Sequence, residues 1–536
     1  MDEAETSRHP IDERTTGGPD SSEDRSATRG AILWAYRLLP ALLLPAMVLL
    51  SRDFGITWDE KTHQMYGQAV WLFLTQGADS HWFHPGWYMY LHGGLFDTLC
   101  VAAQRMLPGD IWTTRHYVNA LFGWAGIVYA GRLGRLAGGA GTGLAAMLIL
   151  VLSPRYFADS MNNPKDVPFA ALSTAALYYT ARLRPRFPFL DLRLFVPLAA
   201  AIALALSVRA GALLLLGYVA VALGGLTVAS RALSPPRLLA TTARFAALAL
   251  VVFVAGTAFW PWAQKRPLKR PVQAILLLSG FDWDRTVLFD GRDVRTTALP
   301  VDYVPRWAAV TVPPVVLAGA ALSLAFLGRR RERGRWLVAG MWFAALFPAA
   351  YVIVTRAVIY DGIRHLLFAY PPLVVAAAWG WRGMLFALTG RSRAVAALAL
   401  AIGLAEPAWF MWRNHPNQCV YFNAFVGGPR GALGRYELDY WGNSVHQAID
   451  WVDDRARREG ARLAVSGFPP HVVRDEVRRR PSLHAARNGE RSHLEVLVLR
   501  GTRESVLELA SRPDALHRVT TADGATLAIV VPGAAR

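Results

Sequence analysis

Two adjacent acids, Asp59 and Glu60, occur in the stretch DFGITWDEKTHQMYG, directly after a long apolar run. At the edge of a membrane, a carboxylate can serve as a general base that accepts the proton of a hydroxyl group. The same acids could instead organise a helix on the outer membrane surface. Thr57 and Glu60 have the spacing of a capping box, and an acid in a first turn complements the helix dipole. These residues alone leave both interpretations open.

Further charged residues stand at the starts of later apolar segments. Lys165 and Asp166 occur in SPRYFADSMNNPKDVPFA, where Pro168 is typical of a first helical turn. Arg364 and His365 open an apolar segment in IYDGIRHLLFAYPP. A guanidinium at such a position can clamp a phosphate group, although it could also simply mark the edge of the bilayer.

The elements that must position these residues are membrane helices. The chain has 536 residues, of which 53% are hydrophobic and only 18% charged, which is too apolar for an ordinary soluble domain. Apolar segments near the length of a bilayer crossing recur along most of it, and we predict about 11 crossings. The candidate segments are 31–50, 86–107, 116–131, 139–153, 167–182, 193–208, 210–228, 242–262, 306–327, 336–355, 364–382 and 393–410.

The arginines between these segments predict the orientation. The net charge is +18, and the basic residues are mostly arginines in short loops rather than a basic and aromatic surface typical of nucleic-acid binding, which we exclude. The arginine-rich loops predicted to be cytoplasmic are 231–244, 328–335 and 382–393. The regions predicted to face outward are the first outer loop 51–85, then 161–170, 263–305, 356–363 and everything after 411.

One conflict arises from this topology. Three apolar segments separate Glu60 from Asp166, and an odd number of crossings would place the two acidic motifs on opposite sides. The segment 139–153 is short and rich in glycine, and about 20 residues are needed to cross. We therefore expect either that this segment enters the membrane without crossing it, or that another of the three does not cross, since Arg132 and Arg135 fit an outward loop poorly.

The two ends of the chain differ from the middle. Residues 1–30 are polar and mixed in charge, which predicts a disordered cytoplasmic tail followed by an uncleaved signal anchor. Residues 411–536 predict a small extracytoplasmic α/β domain, with a helix from Ser444 to Gly460 and strands in RLAVSG, LEVLVLRG and TLAIVVP. Cys100 and Cys419 lie far apart, and their spacing predicts neither a disulfide framework nor a metal cluster.

The order of these motifs resembles the C-type membrane glycosyltransferases, which include the dolichyl-phosphate-mannose protein mannosyltransferases and the bacterial lipid A aminoarabinose transferase. The likeness covers 31–410 and depends mainly on the WDE and KDVPF elements. In HPGWY, Gly86 replaces a second proline that members often have. The resemblance implies a mainly α, polytopic transmembrane bundle with outer juxtamembrane helices. It also implies inverting transfer of a sugar from a polyprenyl-phosphate donor to a hydroxyl of a glycan, lipid or protein.

The resemblance also implies roles for individual residues. Asp59 would be the general base, and Glu60 would support it or bind the acceptor. Asp166 would orient the acceptor, or hold a divalent metal together with Asp59, although no ligand spacing requires a metal. The residues expected to neutralise the donor phosphate are Lys165, Arg209, Arg364 and His365; Arg209 could equally be a polar break between two helices. The residues expected to contact and orient these site residues, without touching substrate, are His84, Asp159 and Asn163.

Two other classes of function remain open at this point. A polytopic transporter or flippase for a lipid-linked or sugar substrate would show inverted repeats and interrupted helices near the bilayer midplane. Here the polar residues gather at helix ends instead. A non-catalytic membrane assembly protein would have little need for Asp59, Asp166 and Arg364 on one side. The expected location is a bacterial inner (plasma) membrane, and loop 263–305 is expected to contribute acceptor specificity.

Overall fold

The computed structural model describes residues 21–86, 88–183, 191–231, 234–280, 283–329, 334–487 and 490–533, with only the backbone for 21–29. Most of the predicted tail therefore lies outside the described residues. Helix α1 begins at Ser21, so the end of the predicted tail is helical rather than irregular. Described helices form a bundle up to Arg413, and a mixed α/β region follows.

The helices of the bundle follow the predicted apolar segments, with some changes at their ends. Their bounds are α1 Ser21–Leu50, α2 Glu60–Gln76, α3 Leu95–Met106, α4 Ile111–Gly138, α5 Ala140–Val151, α6 Pro154–Asn162, α7 Asp166–Ala181, α8 Leu192–Leu206, α9 Leu213–Ala229, α10 Pro235–Gly256, α11 Pro261–Gln264, α12 Arg270–Ser279, α13 Tyr303–Thr311, α14 Pro314–Leu327, α15 Arg335–Thr355, α16 Tyr370–Ala387 and α17 Gly390–Arg413. Loop 263–305 carries α11 in part, α12 and a hairpin of strands β1 Thr286–Phe289 and β2 Arg292–Arg295.

The chain is a multi-pass membrane protein. Among the described residues, five helices are long and apolar enough to cross a membrane, or seven if each of two bent pairs is one span. The pair α5 and α6 bends by 69°, and the pair α13 and α14 bends by 115°. Both bends precede a proline, at Pro154 and Pro314, which lacks the N–H that would continue the helix.

This count is lower than the prediction of about 11 crossings, which was based on segment length and hydropathy. The lower count arises because helices in the centre of the bundle carry polar side chains and so fail a test of hydropathy. Helix α4 has 28 residues but carries Arg115, His116 and Asn119, all of them buried. A helix surrounded by other helices can carry such side chains, so its composition is less apolar than that of a lipid-facing helix. Crossing by these central helices remains a prediction.

Lipid-facing helices show the opposite pattern. Trp34 and Leu42 on α1, and Leu398 and Trp412 on α17, are exposed to more than half of their area. Exposed apolar surface of this extent is typical of contact with lipid. Trp412 stands at the end of α17, where an aromatic side chain suits the boundary between lipid and water.

Contacts between distant residues resolve the topological conflict. Arg364 contacts both Asp59 and Asp166, so the two acidic motifs lie on the same side. Segment 139–153 corresponds to α5, which bends by 69° into α6, a geometry shared by a broken span and a re-entrant loop, so the expectation for this segment stays a prediction. Segment 86–107 is also short in the structure, because α3 has only 12 residues and reaches ~18 Å at 1.5 Å per residue, less than a crossing needs.

The two ends of the bundle differ in charge. At the C-terminal end of α4, a Cβ added to Gly138 would lie 2.7 Å from Arg382, and Gly334 packs on the backbone of Ala137. Two of the arginine-rich loops therefore meet at this end. At the other end of α4, His116 contacts Glu60. The acidic motifs thus lie at the end of the bundle opposite to the arginine-rich loops, as the topology predicts.

The C-terminal region contains the predicted α/β domain. Its sheet has the strand order β4-β3-β5-β7-β6, with β3 parallel to β4 and β5, and β7 antiparallel to β5 and β6. The three predicted strands are present, and two short strands were missed. The elements are α18 Gly428–Ala432, α19 Val445–Glu459, β3 Leu463–Phe468, α20 Pro470–Val477, β4 Leu483–Ala485, β5 Leu494–Val498, α21 Arg503–Ser511, β6 His517–Thr520 and β7 Thr526–Pro532.

Candidate active site

Asp59 makes no side-chain capping hydrogen bond at the start of α2. Helix α2 begins at Glu60, which makes Asp59 the N-cap residue rather than a first-turn residue. The predicted capping box is only half formed. The Glu60 carboxylate accepts the backbone N–H of Thr57 at 2.8 Å, whereas the Glu60 N–H donates to the Thr57 carbonyl at 3.2 Å. The Asp59 carboxylate is therefore available for other contacts.

Arg364 connects the two acidic motifs. Its Nη1 lies 3.1 Å from Asp59 Oδ2 and 3.7 Å from Asp166 Oδ2, and its Nη2 lies 3.2 Å from Asp361 Oδ2. Its guanidinium also stacks over the rings of Tyr360 and Trp441, at 5.1 and 4.6 Å from their centroids. Arg364 is thus held in place on several sides, in a short 3₁₀ turn that precedes α16.

Asp166 is fully buried at the start of α7, where it organises its neighbours. Arg209 Nη2 lies 2.6 Å from its Oδ1, and the side-chain amide of Asn163 donates to its Oδ2 at 3.1 Å. The same Asn163 amide donates to Asp159 at 3.3 Å. Asp159 also accepts the indole N–H of Trp441 at 3.0 Å. Arg209, Asp159 and Asn163 are therefore brought to the cluster, as the sequence predicted.

Lys165 and an unpredicted histidine form the next part of the cluster. Lys165 Nζ lies 2.9 Å from His92 Nε2. If Lys165 donates this hydrogen bond, the neutral imidazole carries its proton on Nδ1. That Nδ1 has no hydrogen-bond partner among the residues that the structure describes. In that tautomer, His92 presents a second donor beside the lysine.

Close backbone packing brings His92 to this place. Gly93 follows His92, and a Cβ there would lie 2.1 Å from the carbonyl oxygen of Ser207, two residues before Arg209. The next glycine, Gly94, donates its N–H to Phe259 at 2.8 Å. Only glycine permits so close an approach. The LHGG pattern is the local signal for His92, whereas the predicted residue was His84 from the same stretch.

His84 is not brought to the cluster. Its Nε2 lies 2.9 Å from Asp79 Oδ2, and both side chains are largely exposed. His365, by contrast, is next to Arg364 and packs edge-on against Tyr360 with ring centroids 4.8 Å apart. Burial lowers the pKa of His365 well below its usual value, and Arg364 and Arg209 add to this effect. A neutral His365 can donate a hydrogen bond but supplies no charge.

Glu60 faces away from Asp59 into a second buried network. Its carboxylate lies 3.2 Å from His116 Nε2 and 3.9 Å from Arg115 Nε. Arg115 also contacts Asp97 at 2.8 Å, and His63 lies 2.8 Å from the other oxygen of Asp97. These side chains are almost fully buried between α2, α3 and α4. The Glu60 carboxylate is therefore buried among these side chains and holds Thr57, two residues before Asp59, through the Thr57 backbone N–H.

Asp59 and Lys165 differ in how their surroundings shift their pKa values. Burial acts to raise the pKa of the Asp59 carboxyl, but the charges of Arg364, His63 and Lys165 outweigh it and hold this pKa below its usual range. Burial and the nearby Arg209 lower the pKa of Lys165 to about 7. Asp59 is therefore ionised, and Lys165 titrates near neutral pH.

The residues do not fit a divalent metal between Asp59 and Asp166. Arg364 Nη1 already lies between the two carboxylates, within 3.1 and 3.7 Å. Among the described residues, no group of three or more His, Cys, Asp or Glu side chains could hold a metal ion. We assign no step of the reaction to a metal.

The C-terminal domain holds the loop that carries Asp59. Glu476 on α20 accepts the backbone N–H of Ile56 at 2.9 Å, and Asn443 accepts that of Gly55 at 3.0 Å. Trp58 donates its backbone N–H to Trp441 at 2.9 Å, and its carbonyl oxygen lies 2.9 Å from Nε2 of His471. No local sequence pattern indicates these contacts, because they join residues hundreds of positions apart.

Solved structures resemble the whole chain rather than a part of it. ArnT from Cupriavidus metallidurans bound to undecaprenyl phosphate has 14% identity and a TM-score of 0.50, with 92% of this chain and 97% of that chain covered. The fold is that of the C-type glycosyltransferases. The apo state of the same ArnT has 15% identity, 96% and 98% coverage and a TM-score of 0.49. The Archaeoglobus fulgidus oligosaccharyltransferase in the apo form has 12% identity, 83% and 65% coverage and a TM-score of 0.47.

No protein-family model matches the chain, and no curated protein matches it in sequence. The structural likeness to ArnT bound to undecaprenyl phosphate confirms, at the level of the C-type glycosyltransferase fold, the resemblance inferred from the WDE and KDVPF elements. Within this fold, the cluster around Arg364 lies where the bundle meets the C-terminal domain, since Asp59 contacts Arg364 and Trp58 contacts Trp441.

Proposed function

We propose that this chain is a membrane glycosyltransferase that moves a sugar from a polyprenyl-phosphate donor to an acceptor hydroxyl at the outer face of the membrane, with inversion at the anomeric carbon. The observation that supports this most is the cluster itself. Arg364 joins Asp59, whose side chain is 33% exposed, to Asp166, which is buried and paired with Arg209. One accessible acid thus stands beside several cations.

The cations suit a phosphate leaving group. Arg209, Arg364 and Lys165 lie around Asp166, and His92 adds an N–H donor beside Lys165. Positive charge held in place before the reaction stabilises the charge that develops on the phosphate as its bond to the sugar breaks. The resemblance to an ArnT bound to undecaprenyl phosphate agrees with a polyprenyl-phosphate donor, by analogy of fold.

Asp59 is the candidate base. It takes the proton of the acceptor hydroxyl while the acceptor oxygen forms its bond to the anomeric carbon. The bond between that carbon and the phosphate oxygen breaks, and its electron pair leaves with the polyprenyl phosphate. A single displacement of this kind inverts the anomeric centre and needs one base rather than a covalent nucleophile.

Donor binding would activate this base. In this structure, Arg364 lies 3.1 Å from Asp59 and helps to hold the pKa of the Asp59 carboxyl low. The Asp59 carboxylate is therefore a weak base. A donor phosphate competes with Asp59 for the same guanidinium. When Arg364 turns towards the phosphate, the pKa of Asp59 rises and the carboxylate accepts a proton more readily.

The test is the substitution Asp59→Asn in membranes that contain a labelled polyprenyl-phosphate sugar. A general base contributes about 10²- to 10⁴-fold, so we expect transfer of label to a non-donor product to fall by at least about 100-fold. Asp53→Asn is the matched control, because Asp53 lies in the same loop but is exposed and contacts His415. Transfer retained in Asp59→Asn would remove the base assignment.

The same experiment separates the proposal from a flippase. A flippase would move labelled donor across the bilayer without forming a product, in both the wild type and the Asp59→Asn protein. Product must therefore be measured directly, and formation of a glycosylated product by the wild type alone supports the transferase.

A further inference from the structure

One side chain of the C-terminal domain reaches the candidate site. Arg500 follows strand β5, and its Nη2 donates to Asp361 Oδ1 at 2.7 Å, while its Nη1 donates to the carbonyl oxygen of Tyr440 at 2.6 Å. Its guanidinium also lies over the ring of Trp58, at 4.8 Å from the centroid. Trp58 directly precedes Asp59 in the chain.

Asp361 is shared between Arg500 and Arg364. Its second oxygen, Oδ2, lies 3.2 Å from Arg364 Nη2, and its side chain is only 5% exposed. Asp361 and Gly362 have φ of +55° and +67°, and the first of these is unfavourable for a residue with a side chain. Pairing with two arginines offsets the cost of this turn.

This sharing affects what Arg364 can offer to a ligand. Its Nη1 faces Asp59 and Asp166, and its Nη2 faces Asp361. A buried carboxylate with one cationic partner is stabilised by that cation alone. A carboxylate with two cationic partners needs a weaker electrostatic interaction from each of them. Because Arg500 neutralises part of the charge of Asp361, Asp361 attracts Arg364 less strongly.

A second buried acid makes this balance sensitive. Glu437 lies near Asp361, Arg500 and Arg364, and its Oε2 has no hydrogen-bond partner in the described part of the chain. Loss of Arg500 would leave Arg364 as the remaining guanidinium beside both Asp361 and Glu437.

We propose that Arg500 is a positioning residue of the transfer reaction. By sharing Asp361, it determines how much of the charge of Arg364 is presented to the donor phosphate, and it makes the C-terminal domain a part of the active site. The proposal rests on the proposed function for its link to catalysis.

The experiment compares Arg500→Ala, Arg500→Lys and the double variant Asp361→Asn/Arg500→Ala in the purified full-length chain. Undecaprenyl phosphate binding and the donor KM and kcat are measured, together with the unfolding temperature. The matched control is Arg512→Ala, because Arg512 lies in the same domain and pairs with Asp514 through two hydrogen bonds.

We expect Arg500→Ala to weaken undecaprenyl phosphate binding and raise the donor KM by about 10- to 150-fold, the range for losing a charge-assisted hydrogen bond. Arg500→Lys keeps the charge and should retain most of the affinity. The double variant should recover affinity, because the unpaired acid is gone. Arg512→Ala should bind like the wild type.

Two results would overturn the proposal. One is an Arg500→Ala protein whose affinity and donor KM equal those of the wild type. The other is a loss of affinity in Arg500→Ala that is also seen in Arg500→Lys and in the double variant. If the unfolding temperature falls in parallel with the affinity, Arg500 has a structural role only. Binding is measured without transfer, so a wild type that binds undecaprenyl phosphate but transfers no sugar contradicts the proposed function and leaves the Arg500 result interpretable.

Discussion

Replacing Arg364 with lysine is the most direct perturbation of the cluster. Arginine presents two nitrogen arms in a fixed plane, whereas lysine presents one compact ammonium. In the structure the two arms serve different acids, with Nη1 towards Asp59 and Nη2 towards Asp361. A lysine at this position keeps the positive charge but cannot contact both acids at once.

The magnitude follows from the contacts that are lost. The Arg364 side chain is only 5% exposed, so water cannot replace a missing partner. At least one charge-assisted hydrogen bond disappears, which is worth about 1.5–3 kcal/mol. At about 1.4 kcal/mol per tenfold change, this corresponds to a fall of about 10- to 150-fold in kcat/KM for the donor.

The assay is steady-state transfer from a labelled polyprenyl-phosphate sugar, with donor and acceptor varied separately. Arg356→Lys is the matched control, because Arg356 lies at the end of α15, in the segment that leads to the 3₁₀ turn of Arg364, and is exposed. A value of kcat/KM for the donor equal to that of the wild type would refute the need for a two-armed cation. A loss confined to the acceptor KM would show that Arg364 serves the acceptor rather than the phosphate.

Three further predictions concern the surroundings of the cluster. Because the pKa of Lys165 is lowered to about 7, it is charged below this pH and neutral above it. The donor KM should therefore rise between pH 6 and 8 in the wild type and stay flat in Lys165→Arg; equal profiles would contradict this. Asp97→Asn should cost about 3–5 kcal/mol of stability by leaving buried charge unpaired, seen as a lower unfolding temperature in detergent, whereas exposed Asp79→Asn should leave it unchanged. Glu476→Ala should lower kcat by loosening the loop before the base, and Glu490→Ala should not; equal kcat values would show that this contact is dispensable.

Several residues of the cluster could be predicted because their positions carry a local signal. Asp59, Asp166 and Arg364 each stand where a polar stretch meets an apolar helix. Such ends meet at one side of a bundle if the number of crossings between them is even. The prediction of their proximity is confirmed by the contacts of Arg364 with both acids. Their catalytic roles remain proposals.

Other parts of the site have no local signal. His92 reaches Lys165 only because Gly93 packs on the backbone of Ser207. The sequence around Arg500 carries no motif that distinguishes it from other arginines that follow a strand. Its contact with Asp361 depends on how the C-terminal domain docks on the bundle. His84 shows the reverse error, since a suggestive HP pattern belongs to an exposed side chain paired with Asp79.

The amino-acid sequence alone predicts a membrane protein with charged groups at the ends of its helices, because the length and composition of apolar segments depend on local chemistry. The three-dimensional structure decided how these charges pair. Asp59 and Glu60 are neighbours in the chain, yet one contacts Arg364 and the other contacts His116 in a separate network. Adjacent side chains on a helix point in different directions, so their partners depend on which helices pack on each side.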